Sequence, residues 1–351
     1  MPSSQSLSIL ILETRQVTHQ TISLGPNGEI DFLDKHNWDP QNHLNDSSGQ
    51  RFFDELSRQT TKFWSKRNFE PDGIAISMPG SLDNNQLIRS SSRLGIRSPF
   101  NVAEWSNKTF SKESLIFHDV ECLALGEYQC TGNATPHQQQ CLVYVFVDEG
   151  VGSKIIIDGK PYTGAGLAGS IGRMVVQPDG EYYEALRSNG SLEVFTSRPW
   201  ISKSLVSTYL SEIDKKFPEN THIILDSKFR KALKVAAQND RESLTLDRIA
   251  DGLNTQDPVA LHVLDKAARY LGFALNSILS IINPQQIILS GGIITELPNF
   301  SDLVIRHTRQ LSWPLAWNNT SISISKLGRE AQIYGAVELW KQHSNERWLE
   351  R

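Results

Sequence analysis

Two glycine-rich runs hold the residues best suited to chemistry. The first lies between Tyr144 and Gly180 and contains Asp148-Glu149-Gly150-Val151-Gly152 at the end of an apolar strand. The second, Asn283 to Ile293, reads NPQQIILSGGI and places Gly291 and Gly292 after another apolar strand. A buried strand that empties into glycines lets backbone N–H groups approach a phosphate or a sugar with no Cβ in the way. Two such strands in one chain point to a nucleotide or sugar cleft. Asp119, which opens a predicted helix, is the third place of interest.

These residues need a scaffold. Leu7 to Leu12, Val17 to Leu24 and Glu29 to Leu33 read as strands, with a Gly25-Pro26-Asn27-Gly28 turn between the last two. Pro40 to Arg51 reads as a surface loop. Phe52, Phe53, Leu56, Phe63 and Trp64 recur at helical spacing. Ile74 to Met78 and Leu115 to Phe117 are buried strands, and Asp119 to Gln129 is a helix. Thr131 to Gln140 has no apolar face and reads as a linker.

Beyond the linker, Cys141 to Val147, Lys154 to Ile157 and Met174 to Val176 are predicted strands. Helices follow at Arg198 to Lys216, Lys228 to Gln238 and Asp257 to Ile282, the last with Asp257 as N-cap and Pro258 at its first position. A strand from Gln286 to Leu289, a helix near Phe300 to Leu311, a strand from Ser321 to Ser325 and a helix from Arg329 to His343 complete the pattern. Strands and helices in both halves give two α/β lobes facing a cleft. The expected division is an N-terminal lobe of residues 1–130, with the C-terminal helix at about 329–351 packed back on it, and a second lobe of residues 131–328.

Composition narrows the class. The chain has 351 residues, 39% hydrophobic and 21% charged, ordinary for a protein with a real core. Its 35 basic and 39 acidic residues give a formal charge of -4, which disfavours a general nucleic-acid binder. The first apolar run lacks a basic flank and is too short for a signal peptide or membrane span. Cys122, Cys130 and Cys141 sit at no metal-ligand spacing and cannot all pair, which points to a reducing cytoplasm.

Taken together, the segments from Ile155 to Gly180, Gly190 to Ser197 (GSLEVFTS), Asn283 to Ile293 and Ala331 to Leu339 (AQIYGAVEL) resemble the ROK family of repressors, open reading frames and sugar kinases. His118 to Glu127, HDVECLALGE, resembles the family segment bearing the catalytic aspartate. The resemblance implies a two-lobe actin-like fold of the ribonuclease H and hexokinase type, with an interlobe cleft. It also implies a sugar or sugar-derivative ligand and a homodimer. On it, Asp119 matches the general base and Glu193 a glutamate that hydrogen-bonds sugar.

The chain departs from the family pattern at several positions. Glu13-Thr14-Arg15-Gln16-Val17 stands where family kinases have Asp-Gly-Gly-Thr, and Arg and Gln fill space a phosphate loop keeps clear. Asp148 and Glu149 stand in the second phosphate loop beside Gly150 and Gly152. A unit charge opposite another at 4 Å costs about 4 kcal/mol at an effective dielectric near 20. That offsets much of a micromolar affinity of about -8 kcal/mol, unless Mg²⁺ intervenes and reverses the sign. The family's sugar-gripping Glu-x-Gly-His reads Ser170-Ile171-Gly172-Arg173, and its zinc ligands correspond to Arg173, Glu184, Leu186 and Ser191. Zinc needs thiolate or imidazole, so none is expected.

Each candidate also has a plainer reading. Asp119 serves equally as a helix N-cap and Glu193 as a first-turn acid. His118 serves as an interior or edge histidine, Gly291 and Gly292 as a strand-to-helix turn, and Arg173 as a partner of Glu184 or another local acid. Arg173 otherwise suits a carboxylate or phosphate on the ligand. The expectation is a sugar-kinase-like protein with impaired phosphoryl transfer that binds carbohydrate or regulates. The alternative is a divergent ATP-dependent sugar or amino-sugar kinase with Asp119 as base, and only there are ATP and Mg²⁺ cofactors. Direct DNA binding is not expected, because the first strand begins near Leu7 with no reading module ahead of it.

Overall fold

The first apolar run forms strand β1, Gln5–Leu12, in which Leu7 through Leu12 are buried without alternation. That pattern marks a central strand covered on both faces. A tight turn, in which the Glu13 N–H donates to the Gln16 carbonyl at 3.2 Å, leads into β2, Val17–Leu24. The third strand, β3, runs further than predicted, Ile30–Trp38. Helix α1, Gln50–Ser65, buries Phe52, Phe53, Leu56 and Phe63, as their spacing predicts. Strand β4, Gly73–Met78, is followed by short strands β5, Ser81–Leu82, β6, Leu87–Ser90, and β7, Phe100–Asn101. Helix α2, Val102–Phe110, then leads to β8, Glu113–His118, and helix α3, Asp119–Cys130. The computed structural model describes residues 4–26, 28–44, 46–82, 87–130, 140–214 and 227–349, so the expected linker, Thr131 to Gln140, lies outside the described residues except for Gln140.

The second half contains β9, Cys141–Val147, β10, Val151–Ile157, and β11, Lys160–Tyr162. A small hairpin of β12, Tyr182–Tyr183, and β13, Ser188–Asn189, precedes helices α4, Glu193–Thr196, and α5, Arg198–Asp214. Helices α6, Lys228–Gln238, α7, Leu246–Asn254, and α8, Pro258–Ile281, come next. Strand β14, Gln286–Ser290, is followed by α9, Gly292–Thr295, α10, Phe300–Leu311, α11, Pro314–Asn318, β15, Ser321–Ile324, and α12, Glu330–Leu349.

The two main sheets repeat one topology. Their orders are β3-β2-β1-β4-β8 and β11-β10-β9-β14-β15. In each, the first three strands are antiparallel and the next two join in parallel. The chain divides into two compact units, residues 1–134, 164–166 and 329–351, and residues 135–163 and 167–328.

Within the first unit, α3 and α12 cross at backbone contact. A Cβ on Gly126 would lie 1.8 Å from the Ala331 carbonyl oxygen, and one on Gly335 would lie 1.7 Å from that of Cys122. Only glycine fits at either crossing point. In the second unit Asp257 caps α8, accepting the Val259 N–H at 2.9 Å. The same carboxylate is clamped by Arg230, Nε to Oδ2 at 2.5 Å and Nη2 to Oδ1 at 2.8 Å, with both side chains buried. Glu212 adds a third charge at 3.1 Å.

One expectation needs correction. Met174 to Val176 is not a strand: Val175 makes a single bridge with Ser191, while the Val176 and Gln177 N–H groups both donate to the Gly190 carbonyl. Helices α2 and α7 have no counterpart in the elements read from the sequence. Asn101 caps α2, its Oδ1 accepting the Glu104 N–H at 2.9 Å, a local signal that a search for long apolar stripes passes over.

Candidate functional site

The topology brings the two glycine runs side by side. Strand β9 pairs in parallel with β14, Phe146 opposite Ser290, so both strands release their loops at the same edge. Gly291 has φ +95°, and a Cβ there would sit 2.3 Å from the Val147 carbonyl oxygen. Glycine is therefore demanded by packing between the two strand ends, with or without a ligand. A Cβ on Gly292 would lie 3.2 Å from Asp148 Oδ2, so the Asp148 carboxylate stands over the second turn. Gly150 is buried in the β9–β10 turn, where its carbonyl accepts the Asp148 N–H at 3.0 Å. Gly152 is not in the turn; it is a ladder residue of β10 opposite Phe146.

The two acids of this turn are not bare. Arg198, the first residue of α5, reaches Asp148 Oδ1 through Nε at 3.1 Å and Glu149 Oε1 through Nη2 at 2.5 Å. Its own N–H donates to the Asp148 carbonyl at 2.7 Å. The Arg198 side chain is 10% exposed, so little solvent screens the pairing. Two uncompensated carboxylates facing the turn were expected. The structure instead holds a fork in which one guanidinium neutralises one of the two charges, and repulsion toward an incoming anion is correspondingly smaller.

Ser170, Arg173 and Glu193 lie on adjoining segments. Gly172 sits so close to β10 that a Cβ would be 2.2 Å from the Val151 carbonyl oxygen and 3.2 Å from Glu193 Oε2. Glu193, at the start of α4, uses that Oε2 to accept the Val151 N–H at 3.1 Å, tying the first residue of β10 in place. The Ser170 hydroxyl donates to the Leu167 carbonyl at 2.8 Å. Arg173 is exposed and makes no ion pair among the described residues; the pairing with Glu184 does not form. The segment from Val176 to Gly190 is tied together by backbone hydrogen bonds. Gly190 accepts from Val176 at 2.9 Å and donates to the Glu181 carbonyl at 2.9 Å, while the Tyr270 hydroxyl donates to Gln177. Among the described residues no group of three His, Cys, Asp or Glu is placed to hold a metal ion.

In the other unit, Asp119 is buried at the head of α3, where parallel pairing of β8 with β4 delivers it. Its Oδ1 accepts the Val120 N–H at 2.8 Å and lies 3.1 Å from His118 Nδ1, which accepts from the same N–H at 3.3 Å. Its Oδ2 accepts from Arg93 Nη1 at 3.3 Å. Both oxygens thus have partners within the chain. Glu13, in the β1–β2 turn, pairs with Arg329 at 3.0 Å.

Arg93 and Arg198 are the site residues that sequence reasoning missed. Each meets its acid across a long separation in sequence, 26 residues for Arg93 and 50 for Arg198 with Asp148. The one available signal for Arg198 was its position immediately after GSLEVFTS, where a buried cation at a helix start is out of place unless an acid meets it.

Among the described residues no helix is long and apolar enough to cross a membrane. The chain is 24% identical over 277 residues to a glucokinase of Halalkalibacterium halodurans, covering 78% of this chain and 77% of that protein. It is 25% identical over 309 residues to a xylose repressor of Bacillus spizizenii, covering 87% of this chain and 71% of the repressor. Among solved structures, the ROK hexokinase from Thermus thermophilus superposes with a TM-score of 0.71 at 17% identity, covering 97% of this chain and 99% of the hexokinase. That likeness carries the two-lobe actin-like α/β fold that the repeated sheet order already describes. Residues 51–223 and 225–343 match the ROK family, and the chain belongs to it.

Proposed function

We propose that this protein is a sugar-kinase-like member of the family that binds a carbohydrate derivative and does not transfer phosphate. The observation that carries the reading is the Arg198 fork on Asp148 and Glu149. Phosphoryl transfer is done almost entirely by positioning and neutralising phosphate oxygens. Here the cation nearest the phosphate turn is already engaged by two of the chain's own carboxylates. Asp119 supports the same reading. A general base must receive a proton from the attacking hydroxyl, and here both carboxylate oxygens are already engaged by Arg93 and the Val120 N–H.

The ligand on this reading carries a negative group, because Arg173 is exposed with no ion pair among the described residues and follows Gly172, which packs against Glu193. A sugar acid or sugar phosphate fits that guanidinium better than a neutral hexose. ATP, Mg²⁺ and zinc have no part in it. We further take the protein as a cytoplasmic homodimer that does not contact DNA directly; its three cysteines are free. The kinase alternative keeps one supporting observation, the burial of Asp119 at the end of β8 and head of α3.

Thermal unfolding with added ligands tests the proposal. A ligand at 100 times its Kd stabilises by about 2.7 kcal/mol. The expected result is an upward shift with one acidic sugar derivative and none with Mg²⁺-ATP. A shift with Mg²⁺-ATP and none with any sugar would overturn it.

A further inference from the structure

A cavity between α6 and α7 has a volume of about 570 Å³, within the roughly 300–1,000 Å³ of small-molecule sites. From α6 it takes Lys228, Lys231, Ala232, Val235 and Ala236, a spacing that is one whole face of the helix. Phe229 and Leu233 turn instead into the core. An amphipathic helix shows polar groups to solvent, yet Val235 on the cavity face is 58% exposed. With the buried Ala236 and Leu244 it gives the cavity an apolar floor.

The cations gather at one end. The two helices run antiparallel, joined by residues 239–245, and a Cβ on Gly252 near the end of α7 would lie 2.9 Å from the Phe229 ring at the start of α6. Arg248, one turn before Gly252, therefore joins Lys228 and Lys231, while Val235, Ala236 and Leu244 line the far end. Asp251 takes one edge of Arg248 at 3.0 Å, and no carboxylate lines the cavity among the described residues. A neutral hydrophobe would satisfy only the apolar end, and an inorganic anion only the charged one. We propose that the cavity binds a small amphiphilic anion, its acidic head at Lys228, Lys231 and Arg248 and its apolar body along Val235 and Leu244. The proposal does not depend on whether the protein transfers phosphate.

Fluorescence titration of the full chain with anilinonaphthalene sulfonate, an anionic head on an aromatic body, tests it. Expected is saturable binding of a single probe, displaced by decanoate and about tenfold or more less well by decanol, which has the tail without the charge. Lys228→Gln/Lys231→Gln should weaken probe binding about tenfold, and Val235→Glu, which sets a charge in the floor, should abolish it. All three positions are exposed, and melting curves establish that each variant is folded. No saturable binding, binding unchanged in both folded variants, or decanol competing as well as decanoate overturns the inference and leaves the proposed function standing. Mg²⁺-ATP is the decisive competitor, because a Cβ on Gly292 would lie 2.5 Å from Leu246 at the head of α7. Displacement of the probe by Mg²⁺-ATP would make the cavity part of a nucleotide site and overturn both readings.

Discussion

His19 makes the stability of this protein depend on pH in a way that can be worked out from its surroundings. The ring lies on β2, buried, with its Nε2 against the Ser8 hydroxyl at 2.5 Å and accepting the Trp64 indole N–H at 3.1 Å. Phe63 packs on it at 4.3 Å between ring centroids. Burial first, then the nearby His36 and Arg67, lower its pKa from 6.5 to about 3. His36 is its direct cross-strand partner on β3, and Arg67 lies over Phe63 while paired with Asp34 at 3.0 Å. The folded protein thus keeps His19 neutral far below the pH at which the unfolded chain takes up its proton.

The sign follows from that difference. Above about pH 7 neither state is protonated and His19 adds no pH dependence. As pH falls through 6.5 the unfolded state gains a proton that the folded state refuses, so stability drops by about 1.4 kcal/mol per pH unit until the folded value near 3 is reached. Between pH 7 and pH 5 the loss is about 2 kcal/mol from this one ring. Urea unfolding of the wild type and of His19→Gln at pH 7, 6 and 5, followed by tryptophan fluorescence, measures it. Gln keeps an acceptor for Trp64 but cannot titrate, so its stability should decline less over this range by about that amount. Parallel slopes for the two proteins would refute the reasoning, whatever their stabilities at pH 7.

Three further outcomes follow from the packing. Gly126→Ala drives a methyl into the Ala331 carbonyl and should cost about 3 kcal/mol or more, at the upper end of overpacking because the obstacle is backbone; chemical denaturation measures it. Arg230→Met leaves the buried Asp257 without its bidentate partner and should cost about 3–5 kcal/mol, whereas Arg230→Met with Asp257→Asn recovers part of the loss in a double-mutant cycle. Prolonged treatment with a zinc chelator should leave the melting curve unchanged, since the Val176 and Gln177 N–H groups donate to the Gly190 carbonyl and hold this segment without a metal.

Local patterns in the sequence were enough for most of the scaffold. The uninterrupted apolar run of β1, the phenylalanine spacing of α1 and the Asp257-Pro258 start of α8 each have a cause within a few residues, and each formed as read. The glycine runs were likewise visible, and the parallel pairing of β9 with β14 places them together. What stayed hidden depends on distant partners. Nothing near Asp148 announces that Arg198 will neutralise it, and nothing near Asp119 announces Arg93. Gly126 and Gly335 look like ordinary helix glycines until α3 and α12 are brought into backbone contact. Met174 to Val176 has strand-forming residues, but the Met174 N–H turns back to the Ile171 carbonyl and the Val176 N–H donates to that of Gly190, so no sheet forms.

Coupled measurement of ADP release, with Mg²⁺-ATP and a panel of hexoses, N-acetylhexosamines and sugar acids, tests the central claim most directly. The wild type should release no more ADP than the sugar-free blank, and Asp119→Asn should be indistinguishable from it. Sugar-dependent ADP release by the wild type that disappears in Asp119→Asn would contradict the account.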